Sequence, residues 1–278
     1  MTNPNPNPIN LGIAVFSSDA YSDFWEIFFD SWFKYSGLEM FPIYLLTATK
    51  SFQDKRVVVV NTPEFALRPW SDRIKAGLIQ IPHEYLLVVT EDLLCLKKMD
   101  DANLFNLISF IKSTDCTCLR LIPDASLHPQ ADGWKICKIF DWSMHRASLQ
   151  MSIWKREALI ELMKEGESPW EFEINGSQRS RSDENYFSTI YPVVPYLEVI
   201  GRGRITRRGA RLISSRGMGD RIARPIFSRK EELIRNLGHL KARLFYSLSI
   251  FIQKRLIREG VVGRAFGNLK EHGGVRKG

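Results

Sequence analysis

The stretch HEYLLVVTEDLLCLKKMD, His83–Asp100, decides the fold that this sequence predicts. Its β-prone run Tyr85–Thr90 leads directly into two adjacent carboxylates, Glu91 and Asp92. A continuous apolar run is typical of a strand that is covered on both faces of a parallel sheet. Ligands gather at the carboxyl ends of such strands, and buried acids need a positive partner. We therefore predict a binding site for a cationic group here; the alternative is a pair of solvated strand-end residues.

The flanking sequence alternates between strand-like and helix-like patterns. Short Val, Leu and Ile runs predict further buried strands, and a helix that begins near Ser71 leads into Tyr85–Thr90. This alternation indicates an α/β protein with a mostly parallel sheet between helices. We also predict a loop over 166–177 and a short helix over 183–190. The further strands are predicted at Leu11–Phe16, Pro42–Ala48 and Arg56–Val60.

The charge distribution divides the chain. Residues 1–200 carry 19 Lys and Arg against 26 Asp and Glu, whereas residues 201–278 carry 20 against 5. With the Asn-Pro repeats of the first residues, this predicts a disordered lead-in over 1–10, a globular domain over 11–200 and a basic tail over 201–278. Nucleic acid is a poor partner, because the body is acidic and few aromatic residues interrupt the basic cluster.

Within the basic tail, Leu and Phe recur at spacings of three and four over 229–258, with Lys and Arg on much of the remaining surface. This pattern predicts an amphipathic helix that binds an anionic membrane surface. The alternative is a helix packed on the domain with its basic face in solvent.

The composition also excludes some classes of protein. No apolar run reaches the roughly 18 residues of a transmembrane helix, and the first residues lack the pattern of a secretory signal. The cysteines lack the second pair of ligands that a zinc site needs. We expect structural thiols in a reducing cytoplasm. The four cysteines are Cys95, Cys116, Cys118 and Cys137.

Four stretches together resemble the bacterial GT-A-type glycosyltransferases that build surface polysaccharides. They span roughly 11–201, and the last is the most specific because its tryptophans are in place over 26 residues. The resemblance implies a GT-A-like, Rossmann-like domain, a nucleotide-diphosphate sugar donor and a glycan or lipid-linked glycan acceptor. It also implies a location on the cytoplasmic face of the inner membrane. The stretches are FSSDAYSDFWEIFF (Phe16–Phe29), PIYLLT (Pro42–Thr47), WSDRIKAGLIQIPHEYLLVVTEDLL (Trp70–Leu94) and SLQMSIWKREALIELMKEGESPWEFE (Ser148–Glu173).

The resemblance also implies a donor site with a divalent cation, Mn²⁺ or Mg²⁺. The family's usual motif is Asp-x-Asp, whereas this chain has Thr90-Glu91-Asp92. Asp92 would then be the principal metal or diphosphate ligand, with Glu91 as its helper. Arg73 would meet the nucleotide or its phosphates, since a guanidinium group suits phosphate oxygens; the alternative is an exposed helix arginine. The residues expected to bind the nucleotide sugar are Ser17, Ser18, Asp19, Arg73, Glu91 and Asp92.

The acceptor side is expected in the segment SPWEFE, Ser168–Glu173. By resemblance, Glu173 is the candidate catalytic base. Glu171 is the alternative, because alternation in an extended segment would place both acids on one face. A structural reading of the segment is a turn with buried aromatics and outward acids. Candidate acceptor-binding residues are Trp154, Trp170 and Phe172, of which Trp154 is also a natural core residue, and Arg202 and Arg204 are candidates for the leaving diphosphate.

Two other functions compete with glycosyl transfer. A sugar nucleotidyltransferase would want a glycine-rich signature with a lysine near the first strand, and Phe16–Asp23 has neither. A non-catalytic glycan-binding or nucleotide-binding relative would have lost metal binding at Thr90-Glu91-Asp92. Titration with UDP and Mn²⁺ tests the second alternative.

Overall fold

A computed structural model describes residues 9–123, 136–143 and 145–237 of the chain. This part contains twelve strands and six α-helices, and over 11–90 they follow the order that the sequence pattern predicts. The strands are β1 Leu11–Phe16, β2 Ile43–Thr47, β3 Val57–Asn61, β4 Tyr85–Thr90, β5 Leu93–Cys95, β6 Cys118–Arg120, β7 Ile136–Lys138, β8 Ser152–Lys155, β9 Tyr186–Thr189, β10 Tyr196–Glu198, β11 Ile200–Gly201 and β12 Arg204–Ile205. The helices are α1 Trp25–Tyr35, α2 Trp70–Ile79, α3 Asp101–Ser113, α4 Arg156–Leu162, α5 Pro169–Arg179 and α6 Arg207–Ser215.

Eight of these strands form one sheet in the order β3-β2-β1-β4-β8-β6-β9-β7. Strands β3, β2, β1 and β4 are parallel to one another, and β6 is parallel to β9. Strand β8 runs antiparallel between β4 and β6, and β7 is antiparallel at the edge. The predicted Rossmann-like α/β fold, with a mostly parallel sheet flanked by helices, is confirmed.

Helices cover the central sheet on both faces. In β1, Ile13 and Val15 belong to the core shared with α1 and α3, while Ala14 and Phe16 belong to the core shared with α2, α4 and α5. All six residues of β1 are buried. A fully buried Val, Leu, Ile or Phe side chain stabilises a fold by roughly 1.5–3 kcal/mol. The unbroken apolar runs therefore reflect burial on two sides.

Two local predictions are wrong. The expected loop over 166–177 is largely helix α5, which begins with Pro169 after the N-cap Ser168. Proline is favourable at the first helical position, and Gly176 lets the helix approach Ala147, whose Cβ would lie 3.3 Å from an added Cβ. The expected helix over 183–190 contains strand β9, which pairs with β6 in the interior of the sheet.

The described C-terminal residues are largely helical. The chain divides into two compact units, Met1–Arg229 and Lys230–Gly278. Helix α6 was not predicted and belongs to the first unit. Residues 229–237 are helical as predicted, and the rest of the expected amphipathic helix lies outside the described residues, as do 1–8 and most of the predicted loop over 123–133. Within the described ranges, no helix is long and apolar enough to cross a bilayer. All four cysteines are buried free thiols.

Candidate active site

The candidate site lies at the carboxyl edge of the central sheet. Strands β1 and β4 are parallel, and their register pairs Phe16 with Thr90. The residues that follow each strand, Ser17 and Glu91, are therefore neighbours. Strand β8 is antiparallel, with Ser152 opposite Val88, so the segment before β8 reaches the same edge. The sheet thus brings the predicted donor and acceptor segments together.

The loop after β1 is fixed by hydrogen bonds within the protein. The buried Ser17 hydroxyl accepts a hydrogen bond from Trp25 Nε1 at 2.8 Å and contacts the Glu91 carboxyl. Ser18 is half-buried and precedes the 3-10 helix Asp19–Phe24. Ser18 is therefore more accessible to a ligand than Ser17 is.

Asp19 organises the loop after β2. Its carboxylate accepts hydrogen bonds from the Thr47 hydroxyl, from the backbone N–H groups of Ala48, Thr49 and Lys50, and from the Thr49 hydroxyl at 2.6 Å. Burial raises the pKa of Asp19, but these hydrogen bonds outweigh it and lower the pKa to about 2. Asp19 therefore holds the loop after β2 in place instead of presenting a free carboxylate to a ligand.

The two acids after β4 have different environments. Glu91 is 5% exposed, and burial followed by the charge of Asp92 raises its pKa to about 8. Asp92 is half-buried, and its Oδ1 accepts a hydrogen bond from the Thr90 hydroxyl at 2.5 Å. Its backbone carbonyl accepts from the Val199 N–H at 2.8 Å, beside the β5–β10 pair. Asp92 is the acid that can reach a ligand.

A divalent cation fits this site only with one protein carboxylate. Within the described ranges, no group of three or more His, Cys, Asp or Glu residues is arranged to hold a metal. Mg²⁺ is commonly held by one or two carboxylates together with substrate phosphates and water. Asp92 fits that role. Glu91 is turned into the protein against Ser17, so its expected role as helper does not fit the arrangement.

Arg73 lies in the first turns of α2, which follows β3 and begins at the carboxyl edge. Its guanidinium group is half-buried and interacts electrostatically with Asp19. Burial lowers its pKa, and no described residue accepts a hydrogen bond from its side chain. A partly desolvated guanidinium group with its donors unused suits an anionic ligand.

Helix α5 separates the two candidate bases. Glu171 occupies the N3 position, where its carboxylate accepts from the Ser168 N–H at 2.9 Å in a capping box. Glu173 is half-buried, and its Oε1 accepts from the Leu149 N–H at 2.9 Å and from the Ser148 hydroxyl at 3.3 Å. Glu173 Oε2 accepts no hydrogen bond from the part of the chain that the structure describes. The expectation that both acids share one face of an extended segment is wrong, because the segment is a helix. Residues two positions apart in a helix differ by about 200° in direction around the helix axis.

The three candidate acceptor aromatics divide in the same way. Trp154 and Phe172 are fully buried, with ring centroids 6.4 Å apart, and Phe172 also lies 6.0 Å from Trp70. They pack α5 and α2 against the sheet and have no face for a sugar, so their expected acceptor role is not supported. Trp170 is 70% exposed and is available to a ligand.

The candidate diphosphate arginines lie on the β11–β12 hairpin. Arg202 has a φ of 49° and Gly203 a φ of 74°, which form the tight turn. Arg202 is exposed at this turn, three residues after Val199, which contacts the backbone of Asp92. Arg204 instead donates to the Ile226 carbonyl at 3.1 Å and packs against the chain that follows. Of the two, Arg202 is the one placed to meet a ligand.

Sequence reasoning missed Tyr21 and Arg224. Arg224 donates to the Asp23 carboxylate at 2.9 and 2.6 Å, and its guanidinium carbon lies 4.2 Å from the centre of the Tyr21 ring. Burial, followed by the charge of Glu91, raises the pKa of Tyr21. The signal in the sequence was weak, because Arg224 lies about 200 positions from Asp23. These contacts fix the segment around Arg224 near Glu91 and Asp92.

The opposite, amino edge of the sheet holds a pocket of about 280 Å³. It lies at the amino ends of β6 and β9, and it contains none of the predicted site residues. Its lining comprises Thr117, Ala158, Glu161, Leu162, Lys164, Arg179, Ser180, Asp183 and Tyr186.

Comparisons with known proteins give partial overlaps of fold. No family model matches the chain, and a search of the curated proteins finds no match. The chain is similar to S. aureus TarS 1-349, with a TM-score of 0.43 and 13% identity over 65% of this chain and 60% of that one. The same fragment in complex with UDP-GlcNAc gives 0.42 and 14% over 65% and 58%. UDP-glucose pyrophosphorylase complexed with UDP-glucose gives 0.44 and 9% over 68% and 93%. The chain thus spans about 60% of the TarS fragment.

Proposed function

We propose that this protein is a glycosyltransferase that moves a sugar from a nucleotide-diphosphate sugar to a glycan or lipid-linked glycan. One observation supports the proposal: Asp92, Arg73 and Glu173 belong to segments at the carboxyl edge of the sheet. Asp92 follows β4, Arg73 lies at the start of α2, and Glu173 contacts the segment that precedes β8. Together they supply a candidate cation ligand, a hydrogen-bond donor to phosphate and a base, which are the three functions that this transfer needs.

On this proposal, the donor diphosphate lies between Asp92 and Arg73. Asp92 would hold a Mg²⁺ or Mn²⁺ ion, which when bound neutralises negative charge on the diphosphate. Arg73 donates hydrogen bonds to phosphate oxygens, and Ser18 and Arg202 extend the same surface. As the sugar is transferred, negative charge grows on the departing nucleoside diphosphate, and these groups stabilise it.

Glu173 is proposed as the general base. Its Oε1 is fixed by Leu149, so Oε2 is held ready to take the proton of the acceptor hydroxyl. The acceptor oxygen forms a bond with the anomeric carbon as the bond from that carbon to the diphosphate breaks. Trp170 offers an exposed ring to the acceptor sugar.

The function is tested with a panel of nucleotide sugars and Mn²⁺ or Mg²⁺, read by released nucleoside diphosphate. We expect turnover with at least one donor, loss of turnover on chelation, and nearly complete loss in Asp92→Ala. Wild-type rates in Asp92→Ala would remove Asp92 from the site. Release of inorganic pyrophosphate from a nucleoside triphosphate and a sugar 1-phosphate would indicate a nucleotidyltransferase instead. The absence of UDP binding with or without metal would indicate a non-catalytic relative.

We also propose a peripheral position on the cytoplasmic face of the inner membrane. The described part of the expected amphipathic helix supports this, because Leu233, Ile234 and Leu237 are 59%, 61% and 50% exposed. Apolar side chains on a basic helix bind anionic lipid surfaces. Deleting 229–278 should release the protein from vesicles that contain phosphatidylglycerol, while neutral vesicles bind neither form. Unchanged binding after the deletion would exclude the helix as the anchor.

A further inference from the structure

Glu167 is a buried carboxylate between α4 and α5, and both of its oxygens are occupied. Oε1 accepts from Arg179 Nη1 at 2.8 Å and from Asn175 Nδ2 at 3.1 Å, and Oε2 accepts from Arg179 Nη2 at 2.8 Å. Arg179 also donates to the Leu162 carbonyl from Nε and Nη2, at 3.0 and 2.7 Å. Burial raises the pKa of Glu167, but the hydrogen bonds outweigh it, and the net pKa is lowered. The ionised side chain thus ties the loop before α5 to two successive turns of that helix.

The backbone of the same residue is tied to α2. Glu167 donates its N–H to the Ser71 hydroxyl at 2.9 Å, and Ser71 donates its N–H to the Glu167 carbonyl at 3.1 Å. The Gly166 N–H donates to Asp72 at 3.2 Å, and Gly166 has a φ of 81°, which suits glycine. Ser71 is 1% exposed, so this reciprocal pair is shielded from water. Glu167 therefore joins two helices through different parts of one residue.

These two helices carry the two halves of the candidate site. Arg73 lies two residues after Ser71 on α2, and Glu173 lies within α5, six residues after Glu167. We propose that Glu167 is a positioning residue that sets the distance between the donor-binding Arg73 and the base Glu173. This inference rests on the proposed glycosyltransferase function.

Loss of this link should let α5 shift against α2, although Phe172 still packs α5 against the sheet. Helix α2 is held on the sheet by Ile74 and Leu78, and by Gly77, where an added Cβ would lie 2.9 Å from Leu46 Cδ2. Arg73 thus keeps its place relative to the strands when the link is broken. Glu173 is then displaced from the acceptor hydroxyl, and a displacement of about 1 Å can lower a rate by about 100-fold. Loss of the link should therefore lower turnover and leave donor binding nearly unchanged.

The test uses two variants that break the link differently. Glu167→Gln keeps the size of the side chain and removes its charge, while Ser71→Ala removes one hydroxyl and leaves the ion pair with Arg179. Glu157→Gln is the matched control, because Glu157 is an α4 carboxylate that pairs with Arg156 and joins neither α2 nor α5. For each, we would measure thermal unfolding, the Kd for UDP with Mn²⁺, and kcat with the best donor of the panel.

We expect kcat to fall by about 10- to 100-fold in Glu167→Gln and by a smaller factor in Ser71→Ala. The Kd for UDP should change less than about threefold, and Glu157→Gln should match the wild type. Unchanged kcat in both folded variants would overturn the inference. So would a loss of UDP binding in parallel with kcat, which a purely structural role would produce. If the wild-type protein turns over no nucleotide sugar although it binds UDP, the proposed function fails, and this inference fails with it.

Discussion

The two edges of the central sheet use their polar side chains differently. At the amino edge, His83 Nε2 lies 3.0 Å from the Tyr44 hydroxyl, and His83 Nδ1 lies 2.8 Å from Asn10 Oδ1. The Thr117 hydroxyl donates to Asp183 at 2.7 Å. These side chains form hydrogen bonds with one another within the protein.

At the carboxyl edge, the side chains of Arg73 and Glu173 keep hydrogen-bonding capacity that described residues do not use. Arg73 uses none of its side-chain donors on described residues, and Glu173 uses only one of its oxygens there. Both are half-buried, so their lost hydration is not fully replaced by protein. The same strands form both edges, so the ends of strands alone do not define a site. The carboxyl edge is the candidate site because Arg73 and Glu173 lie there with hydrogen-bonding capacity that a ligand can use.

Of the three substitutions compared below, Glu173→Gln should have the largest effect. A general base contributes about 100- to 10,000-fold to rate, and Gln cannot take the proton. We expect kcat to fall within that range with little change in the Kd for UDP. Glu171→Gln, two residues earlier on α5, is the control and should keep kcat, since Glu171 serves the helix cap. Equal losses in the two variants would argue against a specific role for Glu173.

A smaller effect is expected for Arg73→Ala, in donor binding. Hydrogen bonds to charged groups are worth roughly 1.5–3 kcal/mol, so the Kd for UDP should rise by about 10- to 100-fold. Arg73→Lys should restore part of the loss, because a lysine keeps the charge but not the planar fork. Arg156→Ala at the amino edge is the control: Arg156 already donates to the Ile81 carbonyl, so its loss should lower stability and leave the Kd unchanged. An unchanged Kd for UDP in Arg73→Ala would contradict the proposed binding of phosphate by Arg73.

Asp19 is the exception at the carboxyl edge, since its carboxylate is completed by the protein. Its pKa is lowered from 3.8 to about 2, so its contribution to stability is present above pH 3.8 and is lost as the pH falls through 2. Asp19→Asn should therefore be less stable than the wild type at pH 7, and the difference should narrow below pH 4. Urea unfolding of both proteins from pH 7 to pH 2 measures this. A constant difference across that range would show that the charge of Asp19 does not stabilise the loop.

The sequence predicted the first half of the fold well because apolar periodicity is a local signal. Strands β1, β2, β3 and β4 and helix α2 lie within a few residues of their predicted bounds. The second half was harder. Helix α5 was hidden by Pro169 and Gly176, which usually mark loops but here occupy a first helical turn and a close contact with Ala147.

The sequence predicted candidate residues for the site, but not the burial and the hydrogen bonds of each side chain. The sequence placed Asp92 at the end of a strand by its order along the chain, and it named Arg73 and Glu173 only through the resemblance. It could not show that Glu91 turns inward, because that depends on Ser17 and Trp25 from another strand-to-helix junction. The role of Arg224 depends on a contact about 200 positions away, which no local pattern can reveal. Long-range partners therefore decide which of the predicted residues can meet a ligand.

The most direct test is a crystal structure of the protein with UDP and Mn²⁺. The diphosphate should lie at the carboxyl edge, with Asp92 on the metal and the Arg73 guanidinium group on the phosphate oxygens. A diphosphate bound instead in the amino-edge pocket beside Thr117 and Tyr186 would contradict the proposed site and the function built on it.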